Sequence, residues 1–244
     1  IYGILMDAIH IELLEFPLDY DKKEDLWSIV KNIAWIVENN WQKPDKGIWE
    51  FRGEDKHFTF SKVLCWVAMD RAIKIGDILG KKEKNWIEIR DNIKEEIEKK
   101  AWNKSIKSFT QFYGSNSLDS SLLLMEQYGF IDSKDPRYIN TVKAIEKEQT
   151  KQMEARKAQQ QQAYKTFLAG FESGMSETLC RFGSGLRGLP ENEHISMVLK
   201  DFEMDESRER KDRIYVFTRA DIVRCVQEKI DANKLLTNAN IYQF

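Results

Sequence analysis

Three successive stretches of this chain repeat their apolar residues at three- and four-residue steps, a spacing that packed helices satisfy and strands do not. In 24–41 the stripe is Leu26, Val30, Ile33, Val37 and Trp41, while Trp27, Ile29, Trp35 and Ile36 add apolar surface away from it. That helix is expected to be covered on more than one side. Segment 60–79 is apolar over most of its circumference, through Val63, Leu64, Trp66, Val67, Ala68, Met69, Ile73, Ile75 and Ile78. Segment 84–100 keeps Trp86, Ile89, Ile93 and Ile97 on one narrow face and is otherwise charged, as a helix with one side in water requires. Enclosed and half-exposed helices in succession imply antiparallel hairpins in two layers. Shorter helices are expected at 117–128, after Ser117, and at 137–150, where Asp135-Pro136 suits a first turn.

The texture then changes. All seven tryptophans (27, 35, 41, 49, 66, 86 and 102) precede residue 103. Residues 147–162, rich in Glu, Lys and Gln and without Gly or Pro, read as a polar helix or linker. Beyond Met153 the pattern is that of a small self-contained protein: a helix at 154–180, a loop at Gly183–Pro190, and strands Ile195–Phe202 and Arg213–Phe217 around the charged turn 205–212. A helix Arg219–Leu235 follows, opened by Thr218 and Asp221 in a capping arrangement. The expected domains are 1–150, helical; 151–162, a polar helical linker; and 163–244, an α-β-β-α module. Residues 153–244 are expected to derive from a reading frame separate from the first part.

With 38 basic and 40 acidic residues the chain has no field that favours nucleic acid, and 153–244 alone carries 14 of each sign. No apolar run is long enough to cross a bilayer, so no membrane partner is expected. No signal peptide is visible, although the chain opens on Ile1 and leaves room for an upstream segment. Cys65, Cys180 and Cys225 are odd in number and far apart, which argues against a disulfide framework and for a reducing, cytoplasmic setting. His10, His57 and His194 add no metal-ligand spacing, so neither metal nor cofactor is expected.

The chemistry concentrates in Trp41-Gln-Lys-Pro-Asp-Lys-Gly-Ile-Trp-Glu-Phe-Arg-Gly53, where Pro44 and Gly47 turn the chain and Glu50 emerges between two aromatics. A loop between packed helices is where catalytic groups are commonly held. A single glutamate in a loop is, taken alone, most often a solvated surface residue. This run, followed by His57-Phe-Thr-Phe-Ser-Lys-Val and Trp66-Val-Ala-Met-Asp-Arg-Ala-Ile73, resembles the family 15 glycoside hydrolases, the glucoamylase and trehalase-like enzymes. Ile1–Ile9, Ser108–Gly114 and Leu118–Met125 support the resemblance, which spans about residues 1–148.

The resemblance implies an (α/α)6 barrel, here partial, and inverting hydrolysis of an α-glucoside or trehalose-like substrate. It places Glu50 as general acid, with Trp49 and Arg52 against the sugar. Such a reaction needs a second carboxylate to activate water from the opposite face. No segment after residue 150 resembles the one that supplies it in the family, and Glu191 and Glu193 read as loop. The first part is therefore expected to be inactive alone, its open barrel edge covered by a protein partner or by self-association. The competing readings are a protein–protein interaction or regulatory module carried by the tail, and a fusion of two unrelated proteins.

Overall fold

The computed structural model describes residues 1–16, 20–204 and 210–244, so part of the charged turn 205–212 lies outside the described residues. The protein is mainly helical with small antiparallel sheets. Its contacts fall into two compact units, Ile1–Gln152 and Met153–Phe244.

The first unit is built around one enclosed helix. Helices α1 (Tyr2–Glu15), α2 (Tyr20–Asn40) and α4 (Trp86–Lys100) all pack on α3 (Thr59–Leu79). Val63, Val67, Ala68, Met69, Ala72 and Ile75 of α3 are completely buried beneath the three helices around it, while Lys74, Asp77 and Ile78 of its last turns meet water. Helix α4 buries Trp86, Ile93 and Ile97, the expected narrow face. Helix α2 departs from expectation. Val30, Ile33, Val37 and Trp41 of its stripe are buried, Leu26 partly so, and Trp27 lies against Trp86 at 5.2 Å, yet Trp35 is 64% and Ile29 50% exposed. Among the described residues, no other element of the unit covers that flank.

At Gly3, α1 approaches α3 so closely that a Cβ would stand 2.2 Å from the Leu64 carbonyl oxygen. The contact is locked by Arg71 of α3, which donates to Asp7 of α1 at 2.7 Å, to Asp70, and to the Tyr128 carbonyl at 3.0 Å. The short hairpin β1 (Trp102–Asn103) and β2 (Ser108–Phe109) follows α4. The helix expected at 117–128 is instead a 3-10 turn, Ser120–Leu123, running into one α-turn, α5 (Leu124–Gln127). Asp119 rather than Ser117 caps it, accepting from the Ser121 N–H at 2.9 Å.

Helix α6 (Pro136–Phe182) starts where Asp135-Pro136 suggested, with the Asp135 carboxylate accepting from the Arg137 N–H at 2.8 Å. It joins the two helices expected at 137–150 and 154–180, and residues 151–162 are turns of it with exposed side chains. Ala, Glu, Gln and Lys are strong helix formers, and nothing in that stretch interrupts the backbone hydrogen bonds.

The second unit sets the last turns of α6 against an antiparallel sheet of order β3 (His194–Met204), β4 (Arg210–Thr218), β5 (Asn240–Gln243). Met175 and Leu179 of α6, Tyr215 and Phe217 of β4, Ile222, Cys225 and Leu235 form its core. The expected loop at 183–190 is largely a 3-10 helix, Gly183–Gly188. Thr218 does cap the next helix, accepting from the Asp221 N–H at 3.1 Å. The single helix expected at 219–235 is two, α7 (Arg219–Val226) and α8 (Ala232–Asn238). Glu228 between them takes a left-handed φ of 58°, and the Asp231 carboxylate caps α8 through the Lys234 N–H at 2.7 Å. Strand β5 was not expected, because four residues show too little alternation to register.

Cys180 and Cys225 are bonded, with Cα atoms 5.0 Å apart across 45 residues of sequence, which corrects the reading of three separate thiols. The cysteines therefore no longer argue for a reducing compartment. No described helix is long and apolar enough to cross a membrane.

Candidate active site

The segment between α2 and α3 folds into a closed excursion. Asp45 and Lys56 exchange both backbone hydrogen bonds at 2.9 Å, so residues 46–55 leave and return at one point. Inside it, the Asp45 carboxylate accepts from the Gly47 N–H at 3.1 Å, and the Phe51 N–H reaches the Lys46 carbonyl at 2.8 Å. Gly47 has φ of 68° and passes over the Phe58 ring, where a Cβ would come within 2.9 Å of the ring carbons. Only glycine meets both conditions there.

Glu50 itself has φ of 48°, in the left-handed region that a non-glycine residue adopts only when its surroundings impose it. Its side chain is exposed, so the flanking Trp49 and Phe51 do not shield it from water. It lines a cavity of about 680 Å³ that also takes in the start of α1, the end of α2 and one face of α3. That volume suits a small molecule. The other carboxylate on the lining is Asp45, already engaged with Gly47.

The two residues expected to contact sugar stand differently. Trp49 is 62% exposed, and its indole N–H is shared between both Asp119 oxygens at 3.2 Å. Arg52 is exposed and has no hydrogen bond or ion pair among the described residues. Neither belongs to the lining of the cavity that Glu50 borders.

Sequence reasoning passed over Lys62 and Asp119. Lys62 is 2% exposed, lines the same cavity, and donates to the carbonyls of Trp41 and Lys43 at 2.5 Å each. Burial lowers its pKa, while Cys65 and Asp45 push it back up. Cys65, partly buried on the same lining, has its thiol pushed up to about 11, chiefly by burial, which disfavours the thiolate. A lysine inside an apolar helix was the one signal in the sequence that could have drawn attention. Among the described residues no group of three or more His, Cys, Asp or Glu comes together in a way that could hold a metal ion.

This arrangement, a glutamate set out on a turn between two aromatics at the rim of a helical cavity, accompanies a family match covering residues 2–220. The chain belongs to the glycosyl hydrolases family 15. The match runs past residue 148 and through β4.

Among curated relatives, the trehalase of Mycobacterium tuberculosis is 40% identical over 152 residues, which is 62% of this chain and 22% of that protein. The trehalase of Thermoplasma volcanium is 40% identical over 149 residues, 60% of this chain and 23% of its own length. Trehalase 1 of Sulfolobus acidocaldarius is 38% identical over 148 residues, 61% of this chain and 25% of its own. The chain thus spans roughly a quarter or less of the length of these trehalases. No solved structure matches it.

Proposed function

We propose that the first unit is a section of an (α/α)6 barrel whose chemistry is inverting hydrolysis of an α-glucosidic bond, with Glu50 as general acid. One observation carries this reading: Glu50 is fixed in a backbone conformation rare for glutamate, on the rim of a cavity sized for a small sugar. That its relatives are trehalases makes trehalose the first substrate to test. Protonation of the departing oxygen needs a carboxylic acid that can approach the bond from one side, and an exposed glutamate on a turn meets that requirement. Trp49 offers a flat apolar face and Arg52 an uncommitted guanidinium for the sugar beyond the cavity. Inversion also needs a carboxylate that activates water across roughly 6.5–9.5 Å. Asp45 is occupied by Gly47, so this partner would come from another segment of the family fold or from a second chain. The exposed apolar residues of α1, among them Ile4, Leu5, Ile11 and Leu14, are where such a segment would pack.

The test is release of glucose from trehalose, maltose and isomaltose by the purified chain, with Glu50→Gln beside it. This reading expects little turnover from the chain alone. Any turnover gained on adding the rest of a family barrel should fall about 10²–10⁴-fold in Glu50→Gln. Equal rates with and without the glutamate would end it.

A second reading is favoured by the separate core and disulfide of Met153–Phe244. It makes 153–244 a protein-interaction module, joined through the polar turns 151–162. Cooperative unfolding of 153–244 expressed alone, with retention of a partner, is what it requires.

A further inference from the structure

Two charged side chains of the first unit are buried without an opposite charge. Lys62 is 2% and Asp119 8% exposed, and among the described residues neither takes part in an ion pair. A charge removed from water is tolerated only if its hydrogen-bonding capacity is filled. What fills it here is the segment leading to Glu50. Lys62 donates to the Trp41 and Lys43 carbonyls, which close the C-terminal end of α2, where the helix dipole favours a cation. Asp119 accepts from the Trp49 indole through both oxygens and keeps its remaining hydrogen bond for the Ser121 N–H.

Besides these two side chains, the excursion is held by its own backbone hydrogen bonds, by the Asp45 carboxylate on the Gly47 N–H and by the Phe51 ring against Phe58. No residue from 46 to 55 is fully buried, and Phe51, which meets the Phe58 ring, is itself 41% exposed. Lys46, which reaches Asp55 and the Gly53 carbonyl, does so in the open, where such contacts are weak. Yet Glu50 keeps a left-handed backbone that persists only where the surroundings over-determine it.

We propose that Lys62 and Asp119 are positioning residues for the general acid, clasping the segment 41–49 at its two ends and so fixing where Glu50 stands on the cavity rim. The proposal rests on the reading of Glu50 as acid, but its test does not need turnover. In the 244-residue chain, Lys62→Met keeps the aliphatic stem and removes the ammonium. Because hydrogen bonds to charged groups are the stronger kind, losing these two should speed amide hydrogen exchange at Glu50 and Phe51 by about tenfold or more, with Ile93 and Ile97 of α4 unchanged.

Asp119→Asn keeps the side-chain volume and should move the Trp49 indole resonance in a ¹H–¹⁵N spectrum, that peak being identified by its loss in Trp49→Phe. The other tryptophan indoles should stay in place. Exchange rising equally in α4, or not rising at residues 50 and 51, together with an unmoved Trp49 resonance, overturns the proposal. If Lys62→Met does not fold, Asp119→Asn and Trp49→Phe decide it, since both should loosen Glu50 and Phe51 in the same way. Where hydrolysis is measurable, both variants should lower kcat with little change in KM. Local loosening in the variants, with Glu50→Gln hydrolysing as fast as the unaltered protein once the rest of a family barrel is supplied, would instead reject Glu50 as acid and leave the clasp standing.

Discussion

Opening the Cys180–Cys225 bond should unfold the second unit at markedly milder conditions and leave the first unaffected. The bond closes 45 residues of chain, and the loss of unfolded-state freedom from a loop of that length corresponds to about 4 kcal/mol at 25 °C. A unit of this size is stable by only about 5–14 kcal/mol, so the bond accounts for a large share of it. Each kcal/mol moves the midpoint of a domain this small by about 4–8 °C, which gives an expected fall of roughly 15–30 °C.

The tryptophans supply an internal control, since all seven belong to the first unit while Tyr164, Tyr215 and Tyr242 lie in the second. Thermal melts with and without a dithiol reductant, and of Cys180→Ala with Cys225→Ala, are followed by tryptophan fluorescence and by far-UV circular dichroism. The dichroism should divide into two transitions with only one displaced. A displacement worth less than about 1 kcal/mol, or an equal shift in the tryptophan signal, refutes the reasoning.

Gly3→Ala should destabilise the first unit by about 1–3 kcal/mol in tryptophan-detected urea melts, because the new methyl meets the Leu64 carbonyl rather than a side chain that can turn away. Tyr215→Phe removes a hydroxyl that donates to Glu172 at 2.7 Å and accepts from Arg213 at 2.8 Å. It should cost the second unit about 1–3 kcal/mol, read from the dichroism midpoint. His10 and His57 both have lowered pKa values, caused first by burial and then by Arg71 and Lys62 respectively. The unfolded chain then binds more protons below about 6.5, so their contribution is whole above that pH and is lost as pH falls through the lowered values. The urea midpoint of the first unit should therefore fall between about pH 7.5 and 5.5, and His10→Gln with His57→Gln should flatten that slope.

The sequence by itself determined where α2, α3, α4 and the start of α6 lie and which face α4 buries, while α1, the turns at 120–127 and the break between α7 and α8 were not legible in it. The stripe on α4, the enclosure of α3 and the Thr218 cap are written in residues three and four apart, and backbone geometry turns such spacing directly into a surface. It also carried the run from Trp41 to Ile73 that marks the family, and with it the choice of Glu50. Tertiary structure decided everything that joins distant residues. The pairing of Cys180 with Cys225, the grip of Asp119 on Trp49, the hold of Lys62 on the end of α2 and the addition of β5 beside β4 each link positions that no local pattern connects. Even the exposure of Trp35 and Glu50 belonged to that level, because a side chain's contact with water depends on which elements pack over it and not on its neighbours in sequence.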